Sequence, residues 1–168
     1  LVSLCTWAFG QNAGEFAVPL SDPSKRGRLK VEINNGSVTI KGSPRKDVLV
    51  RYSGEEESNK GNSKGDKEGL KRISSGTLNL EIYEKSNQVV VQSGSWNTKT
   101  NVEVEVPMDF DLKASSYNDG DIQIDNIQGE VEITSYNGEI SAESISGSVV
   151  ATTYNGDIKV IFNKVTEN

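Results

Sequence analysis

Glycine recurs every nine residues in the last third of the chain, at 120, 129, 138, 147 and 156. A fixed short period is the mark of like units laid side by side, and it restricts the fold more than any other feature here. Two half-periods make a unit of eighteen. The units read Ser-Tyr-Asn-Asp-Gly-Asp-Ile over 116–122, Ser-Tyr-Asn-Gly-Glu-Ile over 135–140 and Thr-Tyr-Asn-Gly-Asp-Ile over 153–158. Asp119 is an extra residue in the first, read as a turn insertion. The intervening turns are Asn126-Ile-Gln-Gly129 and Ser144-Ile-Ser-Gly147.

Between the turns apolar and polar residues alternate with period two, as in half-buried strands. Laying the units in register makes columns: Leu112, Val131, Val149; Ala114, Ile133, Ala151; Ile122, Ile140, Ile158; Ile124, Ala142, Val160; and Ile127 with Ile145. One unit supplies too few apolar side chains to offset its own ordering entropy, so several must stack. A fainter copy runs from Gly27 to Ile40 and aligns with 129–142. Further strands are expected at Val48–Tyr52, Leu78–Tyr83, Gln88–Gln92 and Val102–Val106. No stretch carries sustained helical periodicity.

Two kinds of architecture fit an all-β chain of this pattern. One is a β-solenoid, β-helix-like, with about eighteen residues per coil and like residues stacked at ~4.8 Å. The other is an antiparallel meander or sandwich with each Asn-Gly as a hairpin turn. The solenoid is expected, because direct stacking explains the recurrence of similar residues at eighteen more simply.

Of 168 residues 34% are hydrophobic and 25% charged, with a net charge of −6, so one domain with a thin core is expected. The acidic balance and the lack of a basic stripe argue against nucleic acid. There is no histidine, which removes the commonest general base. The single cysteine, Cys5, permits no intrachain disulfide. Residues 1–10 are uncharged and mostly apolar and end in Ala8-Phe9-Gly10; they read as the remnant of a signal peptide, with Cys5 lost on cleavage. Residues 11–26 are a lead-in, and 27–168 form a single β-repeat domain with a charged, flexible insertion at 53–76. No cap follows Ile161, so the domain is expected to be truncated at its C-terminus. No run approaches the ~20 apolar residues of a membrane span.

Three stretches together carry a resemblance: Gly27-x-Leu-x-Val with Asn35-Gly36-x-Val38, Val102-Glu-Val-Glu-Val-Pro107, and the repeated Tyr-Asn-Gly-Asp/Glu-Ile. With the exported N-terminus, they make the chain similar, over roughly residues 27–160, to the bacterial putative-adhesin family of exported domains, relatives of the head-domain adhesins. The resemblance implies a right-handed β-helix-like fold, a non-enzymatic adhesive or structural role and a bacterial envelope location: periplasm, outer-membrane surface or extracellular. It supplies no catalytic residues. The chain departs from the family pattern in its charged insertion and missing end.

The candidate binding residues lie in the turns. Tyr117, Tyr136 and Tyr154 would line one edge, where aromatic rings either contact a sugar or protein partner or shield the turn. Asn118, Asn137 and Asn155 tolerate turn backbone and could form an amide ladder. Asp121, Glu139 and Asp157 make an acidic column, read as a solvated face because it lacks the dense glycine pattern of calcium-binding repeats. Trp96, flanked by small polar residues, either anchors the array's side or contacts a partner. No catalytic residue, metal ligand or cofactor is assigned. The alternative function is a carbohydrate-active enzyme or carbohydrate-binding module on a β-helix scaffold. The expected partner is an unidentified surface, glycan or protein.

Overall fold

Among the described residues, alternation in the sequence becomes strand. In Asn101-Val-Glu-Val-Glu-Val106 the valines are buried and the polar residues face outward. The structure, a computed structural model, describes residues 13–54, 73–75 and 80–163. The strands are β1 (Ala13–Pro19), β2 (Arg28–Asn35), β3 (Val38–Ser43), β4 (Asp47–Gly54), β5 (Ile73–Ser75), β6 (Leu80–Lys85) and β7 (Gln88–Ser93). They continue with β8 (Thr100–Pro107), β9 (Asp111–Asn118), β10 (Ile122–Asp125), β11 (Val131–Asn137), β12 (Ile140–Ile145), β13 (Val149–Asn155) and β14 (Ile158–Phe162). Among the described residues no helix is long and apolar enough to cross a membrane.

The strands form two seven-stranded mixed sheets, ordered β1-β4-β8-β3-β10-β12-β14 and β13-β11-β9-β2-β7-β6-β5. This corrects the expected β-solenoid over 27–168, and with it the β-helix implied by the family resemblance. β4 runs antiparallel to both β1 and β8, and β6 runs antiparallel to both β5 and β7. Order in space also departs from order in sequence: β2 lies between β7 and β9, and β3 between β8 and β10. The physical reason is local. The eighteen-residue spacing belongs to the last third only. Earlier, Ser86 and Asn87 both take positive φ (53° and 63°), the geometry of a two-residue type I′ hairpin, and turn β6 back along β7.

Parallel pairing does follow the sequence columns where the repeat is present. Val131 pairs with Leu112 and Val149, Ile133 with Ala114 and Ala151, Ile140 with Ile122 and Ile158, and Ala142 with Ile124 and Val160. The N-terminal copy joins the same stack, with Leu29 on Leu112 and Val38 on Ile122. Successive tiers β7/β8, β2/β3, β9/β10, β11/β12 and β13/β14 thus each give one strand to each sheet.

The two sheets enclose one aliphatic core, including Leu29, Val31, Ile33, Ile40, Ile122, Ile133 and Ile140. Full burial of such a side chain stabilises by about 1.5–3 kcal/mol. Phe110 fills the core beside Gly27, where a Cβ would overlap its ring. Part of the expected insertion at 53–76 is strand: β4 reaches Gly54, and Ile73–Ser75 form β5. The rest of it, and the signal-peptide reading of 1–10, lie outside the described residues. β1 takes up much of the expected lead-in.

Antiparallel β4, β1, β6 and β5 cover one end of the stack. At the other end β13 and β14 are the last strands of their sheets.

Candidate binding ridge

The Tyr-Asn pairs close strands β9, β11 and β13, so the parallel register carries them to one corner of the molecule. All six residues expected from the sequence are there. In the first and third repeats the hydroxyl two residues before the Asn braces the turn: Ser116 Oγ donates to the Gly36 carbonyl at 3.1 Å, and Thr153 Oγ1 to the Gly138 carbonyl at 3.3 Å, whereas Ser135 Oγ in the second is buried without a hydrogen-bond partner. The chain then reverses through glycines of positive φ, Gly138 (151°) and Gly156 (142°). In the first repeat the inserted Asp119 takes the positive φ, 44°, in place of Gly120.

The asparagines form an amide and backbone ladder. Asn155 Nδ2 donates to Asn137 Oδ1 at 2.8 Å. The Gly138 N–H donates to the Asn155 carbonyl at 3.0 Å, and the Gly120 N–H to the Asn137 carbonyl at 3.3 Å. Asn35 is a fourth member that the sequence reading left out of the site: it pairs with Asn118, and its Nδ2 donates to the Trp96 carbonyl at 3.4 Å. Its signal was the Asn-Gly at 35–36, but no tyrosine precedes it.

Trp96 extends the aromatic row. A tight turn presents it: Ser95 Oγ accepts from the Thr98 N–H at 3.1 Å and bonds Thr98 Oγ1 at 3.0 Å. The Trp96 and Tyr117 rings lie 5.9 Å apart and tilted by 52°, and Tyr136 and Tyr154 stack at 4.9 Å with planes 2° apart. Trp96 is 58% exposed and Tyr154 73%. The ridge therefore offers the Trp96 ring, the outer face of Tyr154 and a row of ring edges, with amides beside them.

The acidic column is exposed, and its first member has a structural use. Asp121 Oδ1 accepts the Glu139 N–H at 2.9 Å, tying one turn to the next. Asp111 does the same for the Glu130 N–H at 2.9 Å at the opposite turns. Among the described residues no group of three or more His, Cys, Asp or Glu is placed to hold a metal ion.

Away from the ridge, a trough of about 630 Å³ lies over β1, β3, β4 and β8, bordered by Gly14, Tyr52, Asn101 and Arg51. Its guanidinium is occupied: Glu15 and Glu105 accept from it at 2.7 Å each and Glu103 at 3.3 Å. Bonds to Glu105 and then Glu15 push the Arg51 pKa further up, so the guanidinium stays charged.

No protein-family model matches the chain, and no curated protein sequence does. Among solved structures, the chain is similar to a putative cell adhesion protein from Clostridium sporogenes, with 11% identity, a TM-score of 0.46, and coverage of 90% of this chain and 99% of that one.

Proposed function

We propose that this is a non-enzymatic, exported envelope protein of adhesin type, and that the Trp96–Tyr117–Tyr136–Tyr154 ridge with its asparagines is the surface that meets a glycan or protein partner. The observation that carries this reading is the exposure of four aromatic rings in a row on one edge, three at the ends of parallel strands and Trp96 on a tight turn beside them. Exposed aromatics with an apolar body and a polar tip suit recognition, and amides beside them supply directional bonds to hydroxyls or peptide groups. Rigid placement keeps the ordering entropy of binding low.

The geometry also narrows how a partner would bind. Tyr136 and Tyr154 cover each other's inner faces, so a sugar ring has open aromatic faces at Trp96 and at the outer side of Tyr154. The test is a glycan array and a host- or bacterial-surface binding assay with the purified chain. Trp96→Ala and Tyr154→Ala are expected to weaken binding by about tenfold or more each, the scale of an exposed aromatic contact. Unchanged binding in both variants, with the fold intact, removes the ridge as the contact surface.

A further inference from the structure

The open end of the stack differs from every other part of the core. Ile158, Val160 and Phe162 occupy the register of Ile140, Ala142 and Ile145. Those three are at most 1% exposed, whereas Ile158 is 44% and Phe162 42% exposed. On the facing sheet, Val149 and Ala151 stand in register with buried Val131 and Ile133 and are only half-buried. Among the described residues, two strand edges and the apolar interior between them are uncovered together.

The edge also lacks the usual protection. Edge strands are normally blunted by charge, proline or brevity. β13, Val-Val-Ala-Thr-Thr-Tyr-Asn, holds no charge and no proline over seven residues. β14 holds one charge, Lys159, whose Nζ is bound to Glu143 Oε1 at 2.7 Å on the outer face. The opposite end is guarded on β1, which carries Glu15 and Pro19.

We propose that β13 and β14 form an interface with a second copy of this chain, paired antiparallel about a two-fold axis through Ala151 and Val160. These residues lie four positions either side of the Asn155-Gly156 turn, so one axis normal to the sheets passes through the middle of both strands. Inward, Ile158 then opposes the copy's Phe162, Val149 opposes Thr153, and Val160 and Ala151 meet themselves. Outward, Lys159 opposes Ile161 and Val150 opposes Thr152. No like charges face each other, so the edge is self-complementary, as an isologous contact requires. Head-to-tail stacking fits poorly, because Pro19 removes a ladder donor from β1.

The test is sedimentation velocity of the full chain over a wide concentration range, with Val160→Lys as the disrupting variant. A two-copy species is expected, and Val160→Lys, which sets two ammonium groups side by side on the axis, is expected to raise its dissociation constant by about tenfold or more. Far-UV circular dichroism checks that the variant folds. Independently, Val160→Cys in a Cys5→Ser background is expected to cross-link to its own copy on oxidation, while Gln123→Cys, mid-sheet on β10, is not. A monomer at every concentration, including one whose edge is covered by another part of a longer chain, overturns the proposal. So does an oligomer that Val160→Lys leaves intact and Val160→Cys does not cross-link.

Discussion

Tyr136 and Tyr154 lie face to face, ring centroids 4.9 Å apart and planes within 2°. Eighteen residues separate them in sequence, and the parallel pairing of β11 with β13 sets them on neighbouring strands. The contact links the repeat to the ridge and gives the first prediction. Tyr136→Ala should lower stability by about 0.5–1.5 kcal/mol beyond the loss of buried area, and the double variant Tyr136→Ala/Tyr154→Ala should show non-additivity of that size. Urea unfolding of the four-member cycle measures it; strict additivity would mean that the rings merely adjoin.

The Asn155-to-Asn137 bond has a direction, since Nδ2 of Asn155 donates to Oδ1 of Asn137 at 2.8 Å. Asn137→Asp keeps an acceptor there and should change stability little. Asn155→Asp removes the donor and opposes two oxygens, and should cost about 0.5–1.5 kcal/mol. Equal effects in chemical denaturation would mean that the ladder is not ordered this way.

Gly36 has φ of +128°, and a Cβ there would overlap the carbonyl of Thr100. The nearest atoms are all Thr100 backbone, so the new atom has no flexible neighbour to displace. Gly36→Ala is therefore expected to destabilise by about 2 kcal/mol or more. A thermal midpoint within error of the parent's would show that the turn can relax.

Asn87 is buried and ties the 21–25 segment to the β6–β7 hairpin. Its Oδ1 accepts the Asp22 N–H at 2.8 Å, and its Nδ2 donates to the carbonyls of Asp22 and Lys25 at 2.6 and 3.2 Å. Its φ of 63° adds a further demand. Asn87→Ala should cost about 2–4 kcal/mol, because it removes three hydrogen bonds to the 21–25 segment and places a residue with no local side-chain bond at positive φ. Hydrogen exchange should show the 21–25 segment opening first.

Asp22 offers a pH test. Bonds from the Ser24 hydroxyl and then Lys25, with the Ser24 N–H, hold its carboxyl down at about 2 against an ordinary 3.8. A carboxylate depressed on folding stabilises above its unfolded value, and that contribution is lost as pH falls through about 2. Carbon-detected NMR titration should find the midpoint near 2, and Ser24→Ala should raise it toward 3.8. A midpoint already at 3.8 in the parent chain would mean that these bonds do not persist in solution.

What could be read from sequence alone was whatever is local or periodic. Alternation located β4, β6, β7 and β8, because a strand half-buried on one face needs apolar residues at every second position. The eighteen-residue spacing put Val131 between Leu112 and Val149 and gathered three Tyr-Asn pairs at one corner, because parallel strands in register keep equivalent residues adjacent. Sheet order was a tertiary decision. Leu29 on β2, Val89 on β7 and Leu112 on β9 are alike in sequence terms, and which of them adjoin depends on which edges the antiparallel hairpins leave free. That is why a periodic reading extended the repeat to a solenoid and missed the mixed sheets. The tyrosines show the same division. Their alignment follows from the repeat, but only ring positions in space decide that Tyr136 and Tyr154 spend their inner faces on each other while Trp96, from another loop, extends the row.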